Sequence, residues 1–360
     1  MTSKLTYWGT LGLAAACTVA VGPAYAAGTT AGVSITNTAT VNYQVSGVNQ
    51  TSQQASDSFV VDRVINLTVI DLDGATTTVV PGQANAVTTF RLTNTSNETL
   101  DFALAATQPA GGAGAHPGPA DNFDVAAVPI YRDTNGNSTY DAGTDTLVTY
   151  ADELPADASV VLFVVANIPA NRANNDRAVV QLRATASEGG TAGSLGTVVT
   201  QTAGANTAAK DTVFADTAGV NDGARDGAHS AADDYTVQTA TLAVTKTSRV
   251  ISDPVNATTN PKLIPGAVVE YCIQIANSGS VAASSVAITD PIPGQLTFLG
   301  TGQTYSLSNG PIALNGTVTA GTCNADGTAG GSLSGSTVSG TLASVAAGAT
   351  RTLIFRATVN

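Results

Sequence analysis

Apolar and polar residues alternate along most of the chain, as they do in strands that bury one face. The segments 268–276 and 352–359 show the alternation most regularly, and similar short runs recur between clusters of Gly, Pro, Asn and Asp. We find no amphipathic helical pattern beyond the N-terminal segment. The pattern therefore predicts an all-β protein built of antiparallel β-sandwiches.

Two parts of the chain repeat one plan. Pro81 precedes a strand that ends at Asn94, and Pro265 precedes a strand that ends at Asn277, with spacings that differ by one residue. Farther along, a turn of small residues opens another strand in each part. The common order predicts two copies of one sandwich, although strands rich in Val, Thr and Ala also match each other by chance.

A set of turn and strand residues marks the second copy: Pro265-Gly266, Tyr271, Asn277-Ser278-Gly279, Asp290-Pro291 and Pro293. With them, residues 242–360 resemble the bacterial repeat called domain of unknown function 11, and residues 65–190 resemble it more weakly. The resemblance implies an immunoglobulin-like sandwich of exported and surface proteins, with no catalytic residues to carry over. The expected fold is all-β, with two immunoglobulin-like antiparallel β-sandwich domains preceded by an N-terminal strand segment.

These observations divide the chain into five expected parts. They are a signal peptide at 1–26, a strand or hairpin segment at 27–62, a first sandwich with an acidic loop at 63–190, linking strands with a second acidic loop at 191–240, and a second sandwich at 241–360.

The signal peptide combines Lys4, an apolar stretch from Trp8 to Val21 and the small-residue cleavage site Ala24-Tyr25-Ala26. The apolar stretch is too short to span a membrane, and we expect no transmembrane segment in the mature chain. As an alternative, the residues that end at Cys17 resemble a degenerate lipoprotein signal, which would place a lipid on that cysteine. In either case we expect an exported protein, extracellular or at the cell surface.

Cleavage after Ala26 leaves two cysteines, Cys272 and Cys323. Because a zinc site needs about four ligands, we predict one disulfide between them, with two free buried thiols as the alternative. Cys272 falls on the polar face of its strand, so the bond would attach a loop to the outer surface of a sheet.

Charge and residue inventory exclude several functions. The chain has 14 Lys and Arg against 26 Asp and Glu, a formal net charge of −12. Nucleic acid and anionic membranes are therefore poor partners. His116, in a Gly- and Pro-rich loop, and His229 are the only histidines. Since no nucleophile elbow, dinucleotide fingerprint or converging acid and base set occurs, we do not expect an enzyme.

One loop rich in Asp and Asn, residues 133–145, has nearly the spacing of a calcium site. It resembles the calcium loops of dockerins and bacterial surface repeats, although Gly136 comes two positions early and Thr144 stands where a bidentate carboxylate is usual. The expected calcium ligands are Asp133, Asn135, Asn137, Thr139, Asp141 and Asp145. An ordinary turn is the alternative.

A second acidic stretch includes Asp216, Asn221, Asp222, Asp226, Asp233 and Asp234. Its spacing fits no ligand scheme, so we interpret it as a solvated loop, with a cation site as the alternative.

A segment directly behind the cleavage site resembles the strand that commonly follows the closing strand in the resembled family. It comprises Ile35, Thr36, Asn37, Thr38, Ala39, Thr40 and Val41. The sequence stops at Asn360, just after the closing strand 353–359, so we expect an unpaired sheet edge in the second sandwich. A strand donated to another copy would give head-to-tail contacts. In the alternative, residues 33–62 form a hairpin on their own first domain.

Together these features indicate a structural protein that acts through protein contacts or self-association. The alternative is a calcium-dependent adhesin that binds carbohydrate or a neighbouring surface through loops of the first domain.

Overall fold

The computed structural model describes residues 28–360. The predicted signal peptide, including its cleavage site and the alternative at Cys17, lies outside the described residues. Within the described range every regular element is a β-strand, which confirms the all-β class. This part of the chain holds no helix long and apolar enough to cross a membrane.

The first four strands form a two-stranded arm with a short hairpin at its tip: β1 (Ser34–Val41), β2 (Gln44–Val45), β3 (Val48–Asn49) and β4 (Gln53–Val60). β1 pairs antiparallel with β4 along its whole length, and β2 pairs with β3. We call residues 33–61 the arm.

Twelve strands build the first sandwich: β5 (Arg63–Ile65), β6 (Leu67–Asp71), β7 (Thr77–Val79), β8 (Ala86–Asn94), β9 (Leu100–Thr107), β10 (Ile130–Arg132), β11 (Thr146–Leu147), β12 (Tyr150–Leu154), β13 (Ser159–Ala166), β14 (Arg177–Glu188), β15 (Thr212–Phe214) and β16 (Ala228–Val237). One sheet has the order β11-β10-β13-β8-β6 and the other β12-β9-β14-β16-β7. β5 and β15 pair in parallel as a separate short sheet. The core between the main sheets includes Phe90, Phe102, Leu162 and Tyr235, all fully buried.

Eleven strands build the second sandwich: β17 (Leu242–Ser252), β18 (Val268–Asn277), β19 (Ala283–Pro291), β20 (Leu296–Phe298), β21 (Ile312–Gly316), β22 (Val318–Thr319), β23 (Thr322–Cys323), β24 (Thr328–Ala329), β25 (Ser332–Ser334), β26 (Thr337–Val345) and β27 (Thr350–Val359). One sheet has the order β17-β18-β27-β21-β24, with β20 also paired to β27, and the other the order β19-β26-β25. Ile273, Leu342 and Phe355 lie in the core between them.

A buried asparagine occupies the same corner of each sandwich. Asn94 ends β8 and Asn277 ends β18, with 0% and 2% of their surface exposed. The side-chain amide of Asn94 donates to the carbonyl of Leu154 at 2.9 Å, and that of Asn277 to the carbonyl of Val345 at 2.9 Å. Each asparagine also donates its backbone N–H to the turn of small residues that precedes the paired strand, β13 or β27, at 2.9 Å in both copies. The repeated plan predicted from the sequence is therefore present.

The segment predicted to link the sandwiches contributes a core strand to the first of them. β16 pairs with β14 from Arg177↔Thr236 to Thr185↔Ala228, and its Tyr235 is fully buried. The boundary predicted at residue 190 is thus wrong for this strand. Two adjacent carboxylates interrupt the alternation of β16, which made the sequence look like a solvated loop.

The predicted disulfide joins Cys272 and Cys323, whose Cα atoms lie 6.3 Å apart. Both cysteines are buried in a small cluster with Ala313 and Ile354, separate from the main core. Cys272 alternates with core residues along β18, so this cluster lies on the outer face of the sheet. The disulfide thus fastens the strand β23 and its loop to that face, as the sequence predicts.

Loss of the disulfide is expected to destabilise the second sandwich only. The bond spans a sequence separation of 51 residues, and the chain-entropy model assigns such a loop about 4 kcal/mol of stability. A Cys272→Ala/Cys323→Ala variant should lose about that free energy of unfolding in the second sandwich. Hydrogen exchange read by mass spectrometry reports each sandwich separately, so the cysteine-free first sandwich serves as the control. An equal loss of protection in both sandwiches would contradict the prediction.

Candidate interaction site

The two sandwiches share a framework of five strands with the same order and pairing. β6, β8, β9, β12 and β13 of the first correspond to β17, β18, β19, β26 and β27 of the second. In both, the first strand pairs with the second, the second with the fifth, and the third with the fourth. The framework lets equivalent positions in the two sandwiches be compared directly.

The first sandwich has a ribbon that has no counterpart among the described strands of the second. β14 pairs with the edge of β9, and β16 pairs with β14. This ribbon packs against β6 and covers its core face. In the second sandwich β19 pairs with β26 alone, so its other edge is open within residues 28–360.

The missing cover changes the exposure of equivalent apolar residues. Leu67 and Val69 of β6 are 0% and 1% exposed. Leu242 and Val244 of β17 hold the same register against the following strand, yet they are 41% and 67% exposed. We call the open edge of β19 and the uncovered core face of β17 the acceptor groove.

One ion pair lies at the groove. Lys246 of β17 contacts the buried carboxylate of Asp290 in β19, with its Nζ 2.7 Å from Oδ1, and lies 5.0 Å from the centre of the Tyr271 ring. A charge that points inward at a sheet edge discourages indiscriminate strand pairing. An added strand would therefore need a polar group opposite this pair.

The open edge lies away from the closing strand. β27 is flanked by β18 on one side and by β20 and β21 on the other. The reason is visible in the first sandwich, where the chain leaves β13 and crosses to the opposite sheet to form β14. β19 is one of the edge strands of the second sandwich and lies in the sheet that faces β27.

The arm exposes nearly every residue that it contains. All eight residues of β1 are exposed, and in β4 only Val60 is half-buried. The arm is held at its base, where Ala31 donates to the carbonyl of Asn97 at 3.1 Å and the side chain of Asn97 donates to the carbonyl of Asp62 at 2.9 Å. Because a two-stranded hairpin is at best marginally stable in water, the arm lacks the cover that strands normally require.

The two faces of the arm differ in chemistry. On one face hydroxyl groups pair across the strands, Thr36 with Ser58 at 2.7 Å and Thr38 with Ser56 at 2.9 Å. The other face, which we call its apolar face, is formed by Ile35, Asn37, Ala39, Val41, Gln53, Ala55, Asp57 and Phe59. Ile35 is 37% exposed and Phe59 is 58% exposed.

Residues 33–62 thus form the hairpin that the alternative expects. Its strands do not pack against the first sandwich. The predicted donor residues, from Ile35 to Val41, all belong to β1.

The predicted calcium loop is a turn between β10 and β11. Asp133 accepts hydrogen bonds from two backbone N–H groups of the loop, at 2.7 and 2.8 Å. The buried Asp145 accepts from two others, at 2.7 and 3.1 Å. Asp141 accepts from the side-chain amides of Asn135 and Asn137, at 2.9 and 2.7 Å, and these bonds lower the pKa of Asp141.

The six predicted ligands share one loop, but its carboxylates do not converge on a point. Thr139 donates its backbone N–H to Asn137 at 2.8 Å, which continues the chain of internal hydrogen bonds. Among residues 28–360, Asp133, Asp141 and Asp145 do not form a group with all ligand atoms within 4.8 Å of one another. Backbone N–H groups and side-chain amides of the loop itself donate hydrogen bonds to these carboxylate oxygens.

The solvated loop predicted around Asp233 and Asp234 is wrong for these two residues. Both lie in β16 and are fully buried. Asp234 pairs with Arg177 at 3.0 Å, and Asp233 lies 3.2 Å from His116. His116, predicted to lie in a flexible loop, also contacts Asp71 at 3.3 Å. Two carboxylates inside a run that is otherwise strand-like are the sequence signal for such a buried polar cluster.

The rest of this acidic stretch stabilises turns. The buried Asp216 accepts backbone hydrogen bonds from Asp226 and Gly227, each at 3.1 Å. Asp222 accepts one from Gly219 at 2.7 Å, and Asn221 donates its side-chain amide to Gln181 at 2.9 Å. These contacts are structural.

Comparisons with known proteins assign no family. No family model matches the chain, and no curated protein matches it, so the resemblance to domain of unknown function 11 stays a prediction.

Three solved structures show a remote likeness. The class 5 fimbriae chaperone CfaA is 9% identical, over 79% of this chain and 84% of that chain, with a TM-score of 0.22. A structure titled BspA_C_mut is 10% identical, over 83% and 90%, with a TM-score of 0.30. A protein from Corynebacterium diphtheriae, described as membrane anchored, is 9% identical, over 91% and 89%, with a TM-score of 0.19. Likeness at these TM-scores is too slight to assign a function.

Proposed function

We propose that the protein is an exported structural protein of the cell surface or extracellular space that assembles by strand donation. The arm of one copy completes the second sandwich of the next copy. The observation that carries the proposal is the exposure of Leu242 and Val244 at positions where Leu67 and Val69 are buried. An apolar sheet face beside an open strand edge is a site for an added strand.

The arm has the form of the ribbon that covers the first sandwich. β14 and β16 are an antiparallel pair, and so are β1 and β4. With β1 along the open edge of β19 and β4 beside it, the arm takes the place of β14 and β16. Its apolar face then lies over Leu242 and Val244, and both uncovered surfaces leave water together.

The residues of β1 also suit the place of β14. Leu182 and Ala186 of β14 are buried in the core, and Ile35 and Ala39 of β1 have the same spacing on the apolar face. The opposite face of each strand is polar at these positions, with Arg183 and Thr185 in β14 and Thr36 and Thr38 in β1. Alternation of this kind fixes which face of an added strand turns inward, because a slip by one residue reverses every side chain.

Charge agrees with this pairing. Asp57, on the apolar face of the arm, is the only charged residue between positions 28 and 61. Lys246 is the cation on the core face of β17, whereas Arg249 pairs with Glu270 on the outer face. Asp57 of the arm would supply the polar group that meets the pair of Lys246 and Asp290.

Donor and acceptor are different surfaces, so the contact joins copies head to tail. Such contacts build filaments, or rings where the rotation closes. The disulfide between Cys272 and Cys323 supports an oxidising destination, which agrees with the predicted signal peptide.

A charge on the apolar face of the arm should weaken assembly of the mature protein. Ile35→Asp would bury a carboxylate against apolar residues, and we expect association to weaken at least about tenfold, which corresponds to about 1.4 kcal/mol. Sedimentation velocity over a concentration series measures the effect. Thr38→Asp adds the same charge to the opposite face of β1 and should assemble normally.

The acceptor side allows a complementary test. Val244→Asp should block the groove, whereas Thr245→Asp, on the other face of the exposed strand, should not. Replacing residues 34–60 by a short Gly-Ser turn gives a copy with a groove and no arm. Mixed with the Val244→Asp copy, it should form a dimer that grows no further. A mature protein that stays monomeric at high concentration would refute strand donation.

We also propose that the loop 133–145 binds calcium and stiffens the edge of the first sandwich. The six predicted ligands all carry side-chain oxygens in one turn, and two of its carboxylates, Asp133 and Asp145, already order it through backbone hydrogen bonds. Hard cations take such oxygen ligands. To bind the ion, these side-chain oxygens would give up their hydrogen bonds within the loop and coordinate calcium instead.

Removal of calcium by EDTA should lower the Tm of the first sandwich, because a ligand that binds only the folded state stabilises it. Asp133→Asn should abolish this response. Asp326→Asn removes a carboxylate that accepts a similar backbone hydrogen bond, from Thr317 at 2.8 Å, in the second sandwich, and should leave the response intact. Equal melting in EDTA and in excess calcium would leave the loop as a plain turn.

We propose no catalytic role for either histidine. His116 is engaged with carboxylates, and Nδ1 of His229 accepts the backbone N–H of Val69 at 3.1 Å. Saturable binding of monomeric protein to a glycan array would favour the adhesin alternative over assembly.

A further inference from the structure

Four side chains outside the arm and the acceptor groove converge in the first sandwich. They are Asp71, at the end of β6, Asp73 in the turn that follows, His116 in the connection between β9 and β10, and Asp233 in β16. One ligand atom from each of the four lies within 4.8 Å of those of the other three. Among residues 28–360 no other group of three or more His, Cys, Asp or Glu residues meets this criterion.

Neighbouring residues hold His116 in this position. Arg177 donates to the backbone carbonyl of His116 at 2.5 Å and to that of Pro117 at 3.3 Å. Asp234 pairs with Arg177 at 3.0 Å and also accepts the backbone N–H of His116 at 3.0 Å. The fully buried Arg177–Asp234 pair therefore fastens a Gly- and Pro-rich loop that has no regular structure at this point. The imidazole faces the carboxylates because its backbone is fixed.

Asp233 provides an independent sign that a ligand belongs here. Its side chain is 0% exposed, and its Oδ2 has no hydrogen-bond partner. Its Oδ1 accepts the backbone N–H of Asp234 at 2.6 Å and lies 3.2 Å from Nε2 of His116. A buried carboxylate oxygen without a partner is costly, and natural proteins rarely keep one without a bound ion or water.

The balance of charge at these four residues also favours a bound cation. Within residues 28–360, His116 is the only basic side chain that contacts Asp71 or Asp233. Burial, together with the nearby carboxylates of Asp71 and Asp73, raises the pKa of Asp233 to about 8. Burial also raises the pKa of Asp71. Three carboxylates this close repel one another, and a bound cation would remove that repulsion.

We propose that Asp71, Asp73, His116 and Asp233 form a site for one divalent transition-metal ion of the Zn²⁺ type. The donor set is three carboxylates and one imidazole. Calcium and magnesium take oxygen ligands, whereas imidazole suits zinc and its neighbours among the transition metals. Four protein ligands would complete the tetrahedral coordination that zinc prefers.

The ion would tie together three distant parts of the chain. Its ligands come from the end of β6, from the long connection between β9 and β10, and from β16. The ion would therefore stabilise the ribbon of β14 and β16 where it covers β6, and would order the connection that carries His116. This zinc site is separate from the loop 133–145, which offers oxygen ligands only.

Titration of Zn²⁺ into metal-stripped mature protein, followed by calorimetry, tests the site. We expect one ion per chain, bound more tightly than Ca²⁺, and a zinc-dependent rise in the Tm of the first sandwich. Asp233→Asn and His116→Asn should each reduce the affinity at least about tenfold. Asp233→Asn keeps the shape of the side chain and removes a buried charge, so the variant is expected to fold.

Two controls separate this site from the proposed calcium loop. Asp133→Asn should bind Zn²⁺ as the unmodified protein does, and His116→Asn should keep its response to calcium. Zinc binding that survives both Asp233→Asn and His116→Asn would overturn the proposal, as would the absence of zinc binding. Tighter binding of Ca²⁺ than of Zn²⁺ at these residues would overturn the assignment of the ion.

Discussion

A β-sheet in a sandwich needs cover for its core face and partners for its edge strands, and this requirement shapes most of the molecule. In the first sandwich a single ribbon, β14 and β16, supplies both. It pairs with the edge of β9 and covers the core face of β6, so that Leu67 and Val69 lose all contact with water. Within residues 28–360 the second sandwich has the same framework and no such ribbon, and the equivalent leucine and valine are exposed.

The arm has the opposite deficiency. It is a ribbon of two paired strands with an apolar face, and within residues 28–360 nothing packs against that face. Burial of apolar surface is the main source of sheet stability, so a ribbon without cover and a groove without a ribbon are complementary. The proposal of strand donation rests on this complementarity between two parts of one chain.

Buried charge is the second theme of the first sandwich. The chain has few charged residues, 11% of the total, yet it places Asp233 and Asp234 side by side in a core strand. Adjacent residues of a strand point to opposite faces, and here each carboxylate has its own surroundings. Asp234 meets Arg177 in a fully buried pair, while Asp233 meets His116 and two further carboxylates. The charges of Asp234 and Arg177 balance each other. The cluster around Asp233 has three carboxylates and one imidazole, and the proposed metal ion would balance their charge.

The sequence alone determined what depends on neighbouring residues. Alternation along each strand predicted the all-β class, and the repeated Pro-to-Asn spacing predicted two copies of one sandwich, since the Pro-Gly turn and the asparagine that ends the strand lie in one continuous segment. The disulfide followed from having two cysteines in the predicted mature chain. The strand character of the segment 35–41 was also legible, because it lies in the residues themselves.

Only the tertiary structure decided which surfaces remain uncovered and which distant side chains meet. Leu67 and Leu242 look alike in sequence, and their exposure differs because a ribbon more than a hundred residues away covers one and not the other. The convergence of Asp71, His116 and Asp233 likewise depends on how the chain crosses between sheets. Alternation is a property of one strand, whereas cover and convergence are properties of the packing between strands, which no local pattern records.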